Sequence, residues 1–398
     1  MSTFQNGNAN IPEVGDTRVS PQVENLKRQS INSILKNQNS DGAIIASPDF
    51  AQYHYSWLRD GSFIAFALDR AGEHEASSRF HSWVARSLDG IAESIDIVVE
   101  KMLKGQEVDP LHMPPARFSL TNSSEPDDWP NFQIDGYGTW LWALGKHMEM
   151  TGVDSLSNSL RPTVERVAKY LSTYAFSPCY DVWEESRTGL HSSTLACVYG
   201  GLSTASRLLS NGEFLLRASD VAKRIRDSSL EHGRYVKSSE SSDVDSSLLW
   251  LGTPFDVVSS ADDVFEATVR EIERTLTLNG GLRRYPTDVY FGSGAWPVLT
   301  ASLGWHFVEI GDIPGAIRCR DWIAQRFDDQ GRLGEQFFGD VRDPINYSRW
   351  VDLWGPPAKD LVWSHAMFVI LCMEIESALQ QVGSTSQLRH SKNEKGAS

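Results

Sequence analysis

Hydrophobic positions recur every three to four residues along most of the chain, which is the period of an α-helix with one buried face. Alternating apolar and polar runs, typical of strands, are few and short. Several periodic segments begin at a capping residue, such as Ser20 before Pro21 and Asp262 before VFEATVREIERTL. The pattern predicts roughly eleven or twelve helices. The clear ones cover residues 21–37, 59–71, 74–104, 134–150, 161–174, 191–209, 213–230, 262–276, 296–310, 313–326 and 359–380.

The periodic segments are joined without a long linker rich in Pro, Gly or Ser, which predicts one all-α domain over residues 21–383. Of the 398 residues, 40% are hydrophobic, enough for one large core. The polar ends predict an irregular segment over 1–20 and a disordered tail over 384–398. Helix–loop–helix units of about 50 to 70 residues would suit a closed ring of helical hairpins.

The formal net charge is −15, and no cluster of Lys and Arg accompanies it. Binding to nucleic acid needs such a cluster, so a neutral polar ligand is the better expectation. The start, MSTFQNGNANIPEVGD, has neither a basic nor an apolar signal region, and no run reaches the roughly 18 apolar residues of a membrane span. These features predict a cytoplasmic protein that binds no membrane.

Metal or cofactor chemistry has no signature in the sequence. The four cysteines are far apart and form no CxxC pair, and the apolar surroundings of two of them indicate buried free thiols. No His/Glu set has metal-ligand spacing, and both the GxSxG motif and a Walker-type glycine loop are absent. We therefore expect no metal and no organic cofactor. The cysteines are Cys179, Cys197, Cys319 and Cys372.

Six segments combine aromatic side chains with charges. They are YHYSWLRDG (53–61), WPNFQIDGYGTW (129–140), YDVWEE (180–185), RRYPTDVYFGSGAW (283–296), GEQF (334–337) and AKDLVWSHA (358–366). If the helices close into a ring, the loops at one end converge on a single pit. Aromatic faces beside charged groups suit a sugar, since rings stack on its C–H bonds while charges bind its hydroxyls. Two carboxyl groups in such a pit would suit glycoside hydrolysis.

Each of these residues also has an ordinary structural explanation. A bare Glu184–Glu185 pair is usually a solvated turn, but its place after Tyr-Asp-Val-Trp, between two helices, favours a site. Arg59 with Asp60 could be an ion pair at a helix start, and Glu335 alone could be an exposed loop residue. Packing is the usual role of isolated histidines such as His54, His191 and His365.

In this order, the six segments resemble the active-site segments of glycoside hydrolase family 15, the glucoamylase family, over residues 41 to about 380. The resemblance implies an (α/α)6 barrel, in agreement with the helix count. It implies that Glu184 is the general acid, that Glu335 is the general base and that Tyr53 helps to position the attacking water. The substrate-binding residues that it implies are Trp57, Arg59, Asp60, Trp129, Trp183, Glu185, Arg284, Tyr290, Trp296 and Trp363.

The resemblance gives a reason for the paired acids. If Val182–Glu185 is extended, Glu184 and Glu185 point to opposite sides and can serve different tasks. A carboxyl group desolvated by tryptophan and facing a like charge has a raised pKa, as a general acid requires. The family inverts configuration, so we expect the catalytic carboxyl groups to stand about 6.5–9.5 Å apart. His365 stands where tyrosine is common, which would alter the packing behind Trp363.

The absence of a β-sandwich, a starch-binding module and a signal peptide makes short imported oligosaccharides the expected substrates, with isomaltose-type α-1,6 sugars first. The chain is thus predicted to be a monomeric, inverting exo-α-glucosidase that releases β-glucose from non-reducing ends. Open alternatives are an α,α-trehalase, a transglucosylase, a sugar-binding protein without turnover, and an epimerase or isomerase of the same barrel type. The last would need inward-pointing histidines. Linkage preference is expected to depend on loops 105–130 and 235–260.

Overall fold

The computed structural model describes residues 20–121 and 129–395, and most of them lie in thirteen α-helices. The helices are α1 (Pro21–Lys36), α2 (Leu58–Arg70), α3 (His74–Gly90), α4 (Ala92–Leu103), α5 (Asp135–Thr151), α6 (Leu160–Tyr174), α7 (Ser192–Leu209), α8 (Gly212–Ser228), α9 (Asp263–Leu276), α10 (Pro297–Glu309), α11 (Ile313–Ala324), α12 (Pro344–Trp354) and α13 (Val362–Lys395). A short 3₁₀ helix, Ser246–Leu251, precedes α9.

Six of these elements form a closed inner ring. In ring order they are α2, α5, α7, the 3₁₀ helix Ser246–Leu251, α10 and α13, and each contacts the next, with α13 returning to α2. The inner elements are buried on nearly every side. Helices α1, α3, α6, α8, α9 and α11 alternate with them along the chain and bury one face. This arrangement confirms the predicted (α/α)6 barrel.

The sequence explains which helices lie inside and which outside. Outer helix α9 buries Phe265, Val269 and Ile272 on one stripe while its charged residues face solvent. Inner helices instead carry small residues where backbones meet. A Cβ atom at Gly138 of α5 would lie 2.3 Å from the carbonyl oxygen of Cys197 in α7, so only glycine allows this approach.

Three two-stranded antiparallel ribbons complete the described part of the chain: Tyr55–Trp57 with Arg117–Ser119, Leu230–Glu231 with Arg234–Tyr235, and Thr277–Leu278 with Gly281–Leu282. The first ribbon leads directly into α2 and places Trp57 opposite Arg117. The four cysteines are buried and free, which was expected of Cys197 and Cys372.

The structure differs from the predicted helices at two places. The helix expected over 74–104 is broken at Ile91, whose backbone angles are not helical and which follows Gly90, a poor helix former. Helix α12 was not predicted, and none of its residues is buried. Its Ile345 and Leu353 are exposed.

Residues 1–19 and 396–398 lie outside the described part. Over 384–395, within the segment predicted to be a disordered tail, the backbone continues as helix α13. Within α13, the segment Val362–Gln381 is long and apolar enough to cross a membrane, but most of it is buried inside the barrel, as in the core helix of a globular domain.

Candidate active site

A cavity of about 370 Å³ lies at the N-terminal ends of the inner helices. Trp57 immediately precedes α2, Trp296 immediately precedes α10, and Trp363 is the second residue of α13. The cavity brings together every site residue that the sequence predicted. They are Tyr53, Trp57, Arg59, Asp60, Trp129, Trp183, Glu184, Glu185, Arg284, Tyr290, Trp296, Glu335 and Trp363.

Glu184 lies in a tight turn between α6 and α7, not in an extended strand. Its amide N–H donates to the carbonyl of Asp181 at 2.9 Å, and its φ of 67° is left-handed, which is uncommon for glutamate. The Asp181 carboxylate holds this conformation by accepting from the amides of Glu185 (2.9 Å) and Ser186 (3.2 Å). The conditional expectation of an extended Val182–Glu185 segment is therefore wrong, although the two acids still point to different partners.

Three donors converge on the Glu184 carboxyl group. The Trp57 indole Nε1 donates at 2.7 Å, Arg59 Nη2 at 3.2 Å, and the Trp129 indole also donates. Arg117 lies over the rings of Trp57 and Trp129 and holds them in place. Burial raises the pKa of Glu184, and the nearby Arg59 charge and the two indoles oppose that rise without cancelling it.

Arg59 links Glu184 to a second set of acids. Its Nη1 donates to Asp135 at 3.0 Å, and its Nε lies 3.5 Å from Asp60 Oδ2. Burial raises the pKa of Asp60 to about 6, with Arg59 acting in the opposite direction. Asp60 Oδ2 has no hydrogen-bond partner among the described residues, so it can accept a hydrogen bond from a ligand hydroxyl.

Glu335 is the second carboxyl group of the cavity and is 1% exposed. Tyr53 donates its hydroxyl to Oε1 at 2.8 Å, and Tyr290 donates to Oε2 at 3.3 Å. The two hydroxyls also lie 2.9 Å apart. Burial raises the pKa of Glu335 to about 7, while the hydrogen bond from Tyr53 and the charge of Arg284 lower it.

The loop that carries Glu335 is fixed by the start of α13. The amide of Glu335 donates to the carbonyl of Ala358 at 2.9 Å, and Ser364 Oγ donates to the carbonyl of Gly334 at 2.9 Å. His365 stands behind this loop, with Nε2 3.2 Å from the amide nitrogen of Leu333. The histidine therefore packs against the backbone beside Glu335 and does not enter the cavity.

Glu185 belongs to a separate ionic group. Arg284 Nη2 lies 2.7 Å from Glu185 Oε1, and the Tyr285 hydroxyl donates to Oε2. Asp288 accepts from Arg284 Nε at 3.1 Å and neutralises the other side of the guanidinium. Because Arg284 is buried, these carboxylates compensate its desolvation and keep its donors aimed at the cavity.

Sequence reasoning missed several residues of this region. Trp350 and Trp354 of α12 line the cavity, whereas among the described residues loop 235–260 contributes none and loop 105–130 contributes Trp129 with Pro130. The two tryptophans are four residues apart in RWVDLW, which places them on one helix face. That spacing was a usable signal. Asp135 and Asp288, each paired with an arginine, lie within two of the six segments but were not singled out there.

Histidines do not contribute to the cavity wall among the described residues. His54 is exposed, with Nε2 3.1 Å from the carbonyl of Pro48, and His191 is buried at the start of α7. Histidine-driven proton transfer at carbon therefore has no donor or acceptor in this site. The arrangement instead offers three carboxyl groups with a raised pKa, Glu184, Glu335 and Asp60, in an aromatic pit.

Comparisons with known proteins agree with this chemistry. The model of the family described as Glycosyl hydrolases family 15 matches residues 21–342. An isomaltose glucohydrolase of Kribbella flavida is 35% identical over 367 residues, which are 90% of this chain and 95% of that protein. A solved glycosidase variant in complex with glucose has a TM-score of 0.86 at 34% identity, over 89% and 97% of the two chains. A bacterial glucoamylase complexed with acarbose shares the fold alone, with a TM-score of 0.69 at 18% identity over 88% and 55%.

Proposed function

Because the chain belongs to glycosyl hydrolases family 15 and is a glycoside hydrolase, we propose that it is an inverting exo-α-glucosidase acting on isomaltose and other short α-1,6 glucosides. The observation that carries this proposal is the pair of buried carboxyl groups, Glu184 and Glu335. They stand on different loops and line one small aromatic pit. Such a pit suits the end of an oligosaccharide and not the middle of a polymer.

In this mechanism Glu184 is the general acid. Burial raises its pKa, which favours the protonated form that donates to the glycosidic oxygen as the C1–O bond breaks. The proton leaves with the departing sugar hydroxyl and a carboxylate remains. Arg59 and the indoles of Trp57 and Trp129 already point at that carboxylate, so they stabilise the charge that the reaction creates.

Glu335 is then the general base. In its ionised form it accepts a proton from a water molecule, whose oxygen attacks C1 from the face opposite the leaving sugar. The attack inverts the anomeric centre, and the released glucose is the β-anomer. Tyr53 and Tyr290 hold the Glu335 carboxylate in one orientation. Asp60, Glu185 and the remaining polar groups are proposed to bind the hydroxyls of the terminal glucose.

The α-1,6 preference rests on the relative named isomaltose glucohydrolase, whose similarity extends over nearly the full length of both chains. The glucose complex of the similar glycosidase agrees with a single glucose unit at the bottom of the pit. The acidic surface and the absence of a basic cluster favour a neutral sugar and not a polyanion. We extend the proposal to a cytoplasmic monomer, as the sequence predicts.

A panel of disaccharides tests the proposal. Isomaltose, maltose, kojibiose, nigerose and trehalose are incubated with the enzyme, and NMR follows the anomer first released. We expect isomaltose to be cleaved fastest, with β-glucose appearing before mutarotation. Release of α-glucose would reject the role given to Glu335, and faster cleavage of trehalose would reject the substrate. The Glu335→Ala variant is the blank for contaminating glucosidases.

The pH dependence of kcat/KM gives a second test, because it reports groups of the free enzyme. Glu335 must be ionised, so activity should fall as pH decreases through its pKa of about 7. Tyr53→Phe removes a hydrogen bond that favours the ionised form, and we expect the acidic limb to move upward by roughly one to two pH units. A lower kcat should accompany the shift.

Tyr137→Phe is the matched control for this experiment. Tyr137 is buried and donates to the carbonyl of Pro115 at 2.8 Å, outside the cavity. Its variant should keep the acidic limb of the unmodified enzyme. If Tyr53→Phe also keeps that limb, Glu335 is not the group that titrates there.

A further inference from the structure

A second cluster of chemically competent side chains lies away from the cavity. Asp69 of α2, His81 of α3 and His147 of α5 bring their potential ligand atoms within 4.8 Å of one another. Asp69 follows Asp60 on the same helix by nine residues, which separates the two groups by about 13 Å along the helix axis. The cluster therefore lies toward the opposite end of the barrel.

Asp69 is the centre of this cluster and is buried. Its Oδ1 lies 2.8 Å from His74 Nδ1 and 2.9 Å from His147 Nδ1, and its Oδ2 accepts from Ser77 Oγ at 2.6 Å. In a tetrahedral zinc site with bonds of about 2.0–2.1 Å, neighbouring ligand atoms stand about 3.3 Å apart. Binding a cation would thus move Asp69 and His147 slightly apart and bring the more distant ligand atoms of the cluster closer together.

Hydrogen bonding within the cluster does not explain the burial of the His81 imidazole. Its side chain is 2% exposed, yet neither ring nitrogen has a hydrogen-bond partner among the described residues. Its ring centroid lies 5.1 Å from that of His147. A buried imidazole with two unpaired nitrogens destabilises the fold, so a native protein normally gives it a partner. A metal ion between His81 and His147 would be such a partner.

We propose that Asp69, His81 and His147 bind a zinc ion. Two imidazoles and one carboxylate are ligands that zinc accepts, and a water molecule can take the fourth position. His74 lies beside this set, with its Nδ1 2.8 Å from Asp69 Oδ1. The His74 side chain is 41% exposed and the His147 side chain 12% exposed, which gives the ion a path from solvent.

Such an ion would connect the outer helix α3 to the inner helices α2 and α5, and its role would be structural. Short-range spacing does not reveal the site, because its ligands come from positions 69, 81 and 147 on three helices. The expectation of no metal rested on that spacing alone. The ion takes no part in the proposed hydrolysis, so either proposal can fail without the other.

The test uses the full chain produced without a histidine tag, stripped with a chelator and dialysed. Zinc and cobalt(II) are titrated separately, with metal content, the visible cobalt spectrum and Tm as readouts. We expect one ion per chain, the intense visible bands of four-coordinate cobalt and a higher Tm with zinc. His81→Gln and His147→Gln should each weaken zinc binding by at least about tenfold. Isomaltose hydrolysis by His147→Gln should be unchanged.

His306→Gln is the matched control, since His306 is also buried, with an unpaired Nδ1, but lies outside the cluster. It should bind zinc like the unmodified chain. If His81→Gln fails to fold, the more exposed His147 still provides the test. The proposal would be overturned if a 100-fold molar excess of zinc left less than one ion bound per chain. It would also be overturned if His147→Gln and His306→Gln bound zinc equally well.

Discussion

The Glu184→Gln substitution should lower kcat for isomaltose by about 10²- to 10⁴-fold while changing KM little, because it removes the proton that the leaving sugar needs. Glutamine has nearly the same shape and can still accept hydrogen bonds from Trp57 and Arg59, so binding in the pit should persist. Steady-state kinetics with isomaltose over a range of concentrations separates the two constants.

A substrate that needs no acid distinguishes this role from a structural one. Fluoride leaves without protonation, so Glu184→Gln should hydrolyse α-glucosyl fluoride at a rate within about tenfold of the unmodified enzyme. Glu374→Gln is the control, since Glu374 is a largely buried acid with a raised pKa that pairs with Arg70 away from the cavity. A Glu184→Gln enzyme with full activity on isomaltose would exclude Glu184 as the acid.

A helix was predictable from the sequence where the spacing of its apolar residues shows which side is buried. Helix α9 has one apolar stripe, which predicts an outer helix. Helix α10 is apolar on almost every side, which predicts an inner helix. Two elements lack such a pattern of apolar residues. Helix α12 buries none of its residues, and the inner 3₁₀ helix Ser246–Leu251 is too short to show a period. Their local signals are the capping residues Asp343 and Asp245, whose carboxylates accept hydrogen bonds from amides of the first turn.

The site was predictable as a set of segments but not as a geometry. A run such as YDVWEE shows that acids and aromatics occur together, yet the left-handed turn at Glu184 depends on the buried Asp181 carboxylate. Likewise, the pairing of Arg59 with Asp135 becomes recognisable only when α2 and α5 converge. The Asp69 cluster is the extreme case, because it joins three helices through contacts that no local motif encodes.

The Glu335→Ala substitution should also lower kcat for isomaltose by about 10²- to 10⁴-fold, here because the attacking water loses its base. The truncation removes a fully buried carboxyl group and leaves space beside the hydroxyls of Tyr53 and Tyr290. A small anion such as azide can enter that space and attack C1 without a base. We expect azide to restore turnover and to give β-glucosyl azide, which NMR of the product identifies.

The two carboxyl variants should behave oppositely with α-glucosyl fluoride. Glu335→Ala should hydrolyse it poorly without azide, because water still needs deprotonation when the leaving group does not need a proton. Glu184→Gln should hydrolyse it well for the complementary reason. Equal loss in both variants would mean that the residues act as one binding unit and not as separate acid and base. An α-configured azide product would place the attack on the other face of the sugar and reject inversion.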